Sequence, residues 1–154
     1  MTATSADLAL IRGLEERAFN AWPALQTVLV DGWVLRFSAG YTKRANSVNA
    51  LSPNCPVNEI VPIAQPLYEQ EGLPIAFRLS PLAPGRTDAD LAACGFRHAD
   101  ETIVMKALPR DNSAIDADVT ISSRPTSEWA AGFATANAVP VRHVATHDAM
   151  LAAI

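Results

Sequence analysis

Apolar positions near the amino terminus recur every three or four places. Leu8, Ile11, Leu14, Ala18 and Trp22 fall on one face of a helix predicted over residues 4–22. Thr4 stands as its cap with Asp7 in the capping-box position. Pro23 ends it, because a proline ring disfavours helical geometry in the residue before it.

The period then shortens to two. Thr27-Val28-Leu29-Val30 and Trp33-Val34-Leu35-Arg36-Phe37 flank Asp31-Gly32, the dipeptide suited to a type I′ hairpin turn. Ala39-Gly40 predicts a second turn into a third strand over 41–49, unusually polar with Thr42, Lys43, Arg44, Asn46, Ser47 and Asn49. Residues 51–56 read as a loop. A helix is predicted over 57–72, with Ile60, Ala64 and Leu67 on one face and a kink or late start imposed by Pro62 and Pro66. A short strand over 75–79, a helix over 88–94 closed by Gly95, and a strand over 96–108, clearest at 102–106, complete this part. Residues 109–118 turn polar and aperiodic, as a linker does. Beyond it come a strand over 119–123, a helix over 127–138 capped by Thr126 with Trp129 and Phe133 four apart, and a helix running from His143 to Ile154. The fold class is α/β with a mixed, mainly antiparallel sheet: one unit over 1–108, a linker, and the opening of a second unit over 119–154. An apolar helix end at Ala149 to Ile154 suggests a piece of a longer protein.

Composition narrows the classes. Hydrophobic residues at 49% and charged residues at 18% supply a real core and exclude disorder. Asp31 and Arg36 interrupt the most apolar stretch, so no membrane span is expected, and no signal peptide precedes it; a cytoplasmic protein is the expectation. The net charge of −4, with Lys43-Arg44 as the closest thing to a basic patch, argues against nucleic acid as a partner. Cys55 and Cys94 fit neither a disulfide framework nor a metal motif and read as small, buried or half-buried residues.

Candidate chemistry is sparse. His143 and His147 have helical metal-ligand spacing, yet Val144 stands where a zinc protease carries Glu and no third ligand is near, so no metal is expected. His98 reads as a surface residue, and a Gly-x-Ser-x-Gly elbow is missing. Trp22, Trp33, Trp129 and Phe37 read as core anchors.

The stretches Glu15-Glu16-Arg17-Ala18-Phe19-Asn20-Ala21-Trp22-Pro23-Ala24, Asp31 to Phe37 and Gly40-Tyr41-Thr42-Lys43-Arg44-Ala45-Asn46-Ser47-Val48, in this order of elements, resemble a bacterial subgroup of GNAT N-acetyltransferases. In that subgroup two GNAT-like halves follow one another. Leu91-Ala92-Ala93-Cys94-Gly95-Phe96 is similar to the helix and Gly-Phe step near the end of a GNAT domain. The resemblance implies N-acetyl transfer from acetyl-CoA to a primary amine, on a small molecule or a peptide, by the complete protein.

It also implies a cofactor loop of pattern Arg/Gln-x-x-Gly-x-Gly/Ala between a strand and the next helix. None of the seven glycines has Arg or Gln three residues before it. Leu51-Ser52-Pro53-Asn54-Cys55-Pro56-Val57 stands at the equivalent place, and residues 87–96 lack the tyrosine that often protonates the leaving thiolate. The first half is therefore expected to hold no cofactor, and this chain alone to be inactive. Tyr41, Arg44, Asn46 and Ser47 are the candidate substrate-binding residues, with Arg44 set to take an anionic group. The same residues also read as a solvated sheet face or an edge strand. The runner-up function is a non-catalytic binding or dimerisation module. In either case the apolar residues of 119–154 suggest a homodimer through that segment.

Overall fold

A computed structural model describes residues 5–105 and 118–154. Helix α1 spans Ser5–Ala21 and leads into a hairpin of β1, Gln26–Val30, and β2, Trp33–Phe37. Asp31 and Gly32 both take positive φ, +45° and +85°, as the tight turn between twisted strands demands. A loop with a short 3-10 turn at Lys43–Ala45 leads to β3, Val48–Ala50; α2, Val57–Gln70, then crosses to β4, Phe77–Arg78. Helices α3, Thr87–Ala93, α4, Ser127–Ala136, and α5, Val144–Ala152, follow.

The sheet order is β1-β2-β3-β4. The first two pairings are antiparallel and β3 pairs parallel with β4, since the α2 crossover returns the chain in the same direction. The expected α/β class with a mixed, mainly antiparallel sheet is thus the one observed. Trp33, Leu35 and Phe37 alternate along one face of β2 and meet Val48 and Ala50 of β3. Val57, Ile60, Ala64 and Tyr68, at helical spacing, bring α2 down on that face, with Leu91 of α3 beside them. Burial of the larger aliphatic and phenyl side chains here contributes about 1.5–3 kcal/mol each, and of the alanines less.

Several elements differ from the sequence expectation. Helix α2 runs unbroken from Val57 with no late start, because Pro62 and Pro66 lie four apart on its exposed side, where water can take the carbonyls they free. The third strand is shorter than 41–49: residues 43–45 form a 3-10 turn and only Val48–Ala50 pair. Residues 96–105 form no strand, and Ile103, Val104 and Met105 are exposed. The strand expected over 119–123 is also absent; Val119 and Ile121 lie in solvent. Both segments have strand propensity but no partner strand, and propensity without pairing leaves backbone groups to water. Helix α5 stops at Ala152, short of Ile154. On α1 the buried residue is Glu15 rather than Leu14, and Trp129 is half exposed rather than a core anchor. Thr4, residues 106–108 and all but Asp118 of the linker expected over 109–118 lie outside the described residues.

Among the described residues no helix is long and apolar enough to cross a membrane.

Candidate functional site

The polar stretch between β2 and β3 is built around two side chains that hold backbone. Ala39 and Gly40 take positive φ and reverse the chain after Ser38. A Cβ added to Gly40 would stand 2.9 Å from Leu73 Cδ2, the movable end of a side chain, so it is the φ of +72° that makes this corner suit glycine. Asn46 spans the loop: its Oδ1 accepts from Ser38 N–H at 2.7 Å and Gly40 N–H at 3.0 Å, and its Nδ2 donates to Thr42 C=O at 2.7 Å. Ser47 Oγ donates to Arg44 C=O at 3.3 Å and accepts from Asn49 Nδ2 at 3.1 Å.

The second holder is Arg36, a buried arginine on β2. Its Nη1 donates to Arg44 C=O at 2.8 Å; its Nη2 donates to Phe19 C=O at 3.3 Å and to Trp22 C=O, and the guanidinium lies 4.8 Å over the Phe19 ring. The carbonyl end of α1 is the negative end of a helix dipole, which suits a buried cation with no carboxylate bonded to it. Burial, and then the neighbouring charges of Arg78 and Arg44, push the Arg36 pKa down to about 10. Tyr68 donates its hydroxyl to Arg36 C=O at 3.0 Å from α2, and burial holds that phenol well above its usual range. Glu15 of α1 grips Arg78 of β4 bidentately. Two helices, three strands and the loop are thereby tied together by these polar contacts.

The four candidate substrate residues therefore do not share one face. Asn46 and Ser47 are buried and bonded to the loop, whereas Arg44 points to solvent and contributes its carbonyl inward. Alternation along a strand would have grouped them; the 3-10 turn separates them instead. Tyr41 is half-buried. Its ring stands 6.1 Å from Trp22, 5.6 Å from His143 and 5.8 Å from His147, so α5 and the turn before it pack against this loop. His147 is fully buried, stacked on Phe133, with Nδ1 2.9 Å from Asp148 Oδ1 and no partner at Nε2. His143 Nε2 accepts from Arg142 Nε at 3.1 Å. The two imidazoles thus serve as aromatic neighbours of Tyr41, and among the described residues no three His, Cys, Asp or Glu converge as metal ligands.

Arg36 escaped the sequence reading as a site residue, although a charge inside the run Trp33 to Phe37 was a usable signal. Nothing in sequence links Glu15 to Arg78.

The loop between β3 and α2 is the remaining feature. Pro53 and Pro56 have no N–H; Leu51 N–H is taken by Gly32 C=O at 2.8 Å and Asn54 N–H by Ser52 Oγ at 3.3 Å. Of the six residues 51–56, that leaves at most Ser52 and Cys55 with an N–H to offer. Pro56 itself occupies the cap position of α2. Cys55 Sγ donates to Ser52 C=O at 2.6 Å, closing the loop on itself, and burial pushes its thiol pKa up.

A separate open groove of about 330 Å³ lies between α2 and the exit of α3, lined by Val61, Tyr68, Leu73, Ile75 and Phe96 among others. None of the four candidate substrate residues borders it.

Known proteins resemble most of this chain. A family described as "Probable histone acetyltransferase Rv0428c C-terminal" matches residues 8–152. The "Uncharacterized N-acetyltransferase YobR" of Bacillus subtilis is 35% identical over 119 residues, covering 77% of this chain and 47% of that protein. The "Probable histone acetyltransferase Rv0428c" of Mycobacterium tuberculosis is 34% identical over 126 residues, covering 79% and 37%. No solved structure matches. The chain spans less than half the length of the curated relatives it matches. With the family match running over nearly its whole length and the mixed sheet in place, the chain belongs to the GNAT-type acetyltransferase family of the Rv0428c C-terminal region.

Proposed function

We propose that the complete protein transfers an acetyl group from acetyl-CoA to a primary amine, and that these residues form the half that does not hold the cofactor. The 51–56 loop carries this reading. A pyrophosphate at a strand-to-helix turn is held by convergent backbone N–H groups and the positive end of a helix. Two prolines and two N–H groups bonded elsewhere leave at most two donors in residues 51–56, which supports the reading. In the reaction a base deprotonates the amine, which attacks the thioester carbonyl; the C–N bond forms, the C–S bond breaks, and CoA leaves as the thiolate that takes up a proton. The cofactor loop and the groups that move these protons belong to the other half. The contribution of this chain is a scaffold and substrate contacts from the outward-facing Arg44 and from Tyr41, with Asn46 and Ser47 holding the loop that presents them. Arg44 suits an anionic group on the acceptor.

Calorimetric titration of the 154-residue chain with acetyl-CoA tests the reading. No saturable heat is expected up to millimolar cofactor, and a one-to-one isotherm would overturn the assignment of this half.

A further inference from the structure

Among the described residues nothing pairs with the outer side of β4. β4 is the last strand, and its register against β3 fixes which of its backbone groups are used. Val48 N–H donates to Ala76 C=O at 2.8 Å, so in a parallel ladder Ala76 and Arg78 face β3 while Phe77 turns its N–H and C=O outward. No hydrogen bond reaches the Phe77 backbone from that outer side among the described residues. An open edge of this kind invites another strand unless charge, proline or a covering element blocks it. Leu79, next to the edge, is itself exposed.

The same chain carries a strand without a sheet. Thr102-Ile103-Val104-Met105 has high strand propensity, yet its three apolar side chains are 80%, 66% and 88% exposed and its backbone joins no ladder. Its own β4 is not where the chain takes it. Phe96 still touches Phe77, at 5.2 Å between ring centroids, but four residues later Asp100 is ion-paired with Lys43 on the turn between β2 and β3. Residues 102–105, just beyond that ion pair, belong to no strand of the sheet.

We infer that the open β4 edge is an interaction surface for a second copy of this chain, whose residues 102–105 add to it as a fifth strand. The exchange is reciprocal. Each chain offers its β4 edge and one unpaired strand, so a two-fold axis satisfies both sets of backbone groups at once. The main-chain bonds at Phe77 fix the pairing, and Ile103, Val104 and Met105 lose their exposure beside Leu79. This surface is distinct from the apolar residues of 119–154, part of whose burial, at His147, Met150 and Leu151, is already met within one chain.

Sedimentation equilibrium on the 154-residue chain, V104P and I121D decides it. Proline in a pairing strand removes a donor and blocks the ladder. V104P is expected to raise the dimer dissociation constant at least about tenfold, with the helix content of the single chain kept, because Val104 is exposed there. I121D is expected to dimerise as the parent chain does. Hydrogen exchange on the parent chain gives a second readout: amides of 75–79 and 102–105 are expected to slow together as concentration rises. A parent chain monomeric up to sub-millimolar concentration, a V104P chain as dimeric as the parent, dimerisation lost in I121D alone, or concentration-independent exchange at these amides would each overturn the proposal.

Discussion

Replacing Asn46 by alanine separates a loop-holding role from a substrate-binding one. The side chain is 6% exposed and makes three hydrogen bonds of 2.7–3.0 Å, to Ser38 N–H, Gly40 N–H and Thr42 C=O. Each is worth about 1 kcal/mol net, and a buried donor left without a partner costs about 1–3 kcal/mol. The Ser38 N–H is buried, whereas water can reach the exposed Gly40, so the total loss for N46A is about 2–4 kcal/mol. For a chain of this length that lowers the melting temperature by about 5–15 °C. R44A is the matched control. Its side chain is exposed, and the carbonyl that receives Arg36 survives the substitution. Its stability should stay within about 0.5 kcal/mol of the parent. Thermal and urea denaturation of both variants, with unchanged m-values, measure this directly. An N46A chain that melts with the parent, or an R44A chain that falls as far as N46A, would refute the reasoning. In the complete protein, R44A is the variant expected to lose activity with its melting temperature intact.

Further outcomes follow from the same contacts. Burial raises the pKa of both tyrosines, so the phenolate absorbance band at pH 10 should be weaker in the folded chain than after denaturation. For Tyr68 the folded pKa lies above the unfolded one; its share of stability is complete below pH 10.0 and is lost as pH rises beyond that, which alkaline urea titrations would register. G40A forces a Cβ into left-handed backbone at φ +72° and against Leu73, and should cost about 1–2 kcal/mol in urea unfolding. A thiol reagent should modify exposed Cys94 at once and buried Cys55 only on unfolding; two equally fast thiols would contradict the closed 51–56 loop.

Elements whose cause is local were legible in the chain. The period of α1 and α2, the Asp31-Gly32 hairpin, the Thr126 cap that accepts from Trp129 N–H, and the exit of α3 through Gly95 at φ +88° all arise from residues within a turn or two of each other. At that exit Phe96 N–H reaches Leu91 C=O and Gly95 N–H reaches Ala92 C=O, the bonds a glycine there allows. The two missing donors of the 51–56 loop were equally visible, since a proline lacks its N–H whatever surrounds it.

Only tertiary structure decided the rest. Whether residues 41–49 and 96–105 became strands depended on a neighbour to pair with, and strand propensity is silent on partners. Asn46 and Ser47 looked like polar lining because polarity alone does not tell a group facing a ligand from one satisfying buried backbone. The direction of Arg44, the burial of Arg36 at the end of α1 and the grip of Glu15 on Arg78 across 63 positions were fixed by packing between elements far apart in the chain. Local sequence carries local preference, while contacts between distant residues exist only once the chain has closed upon itself.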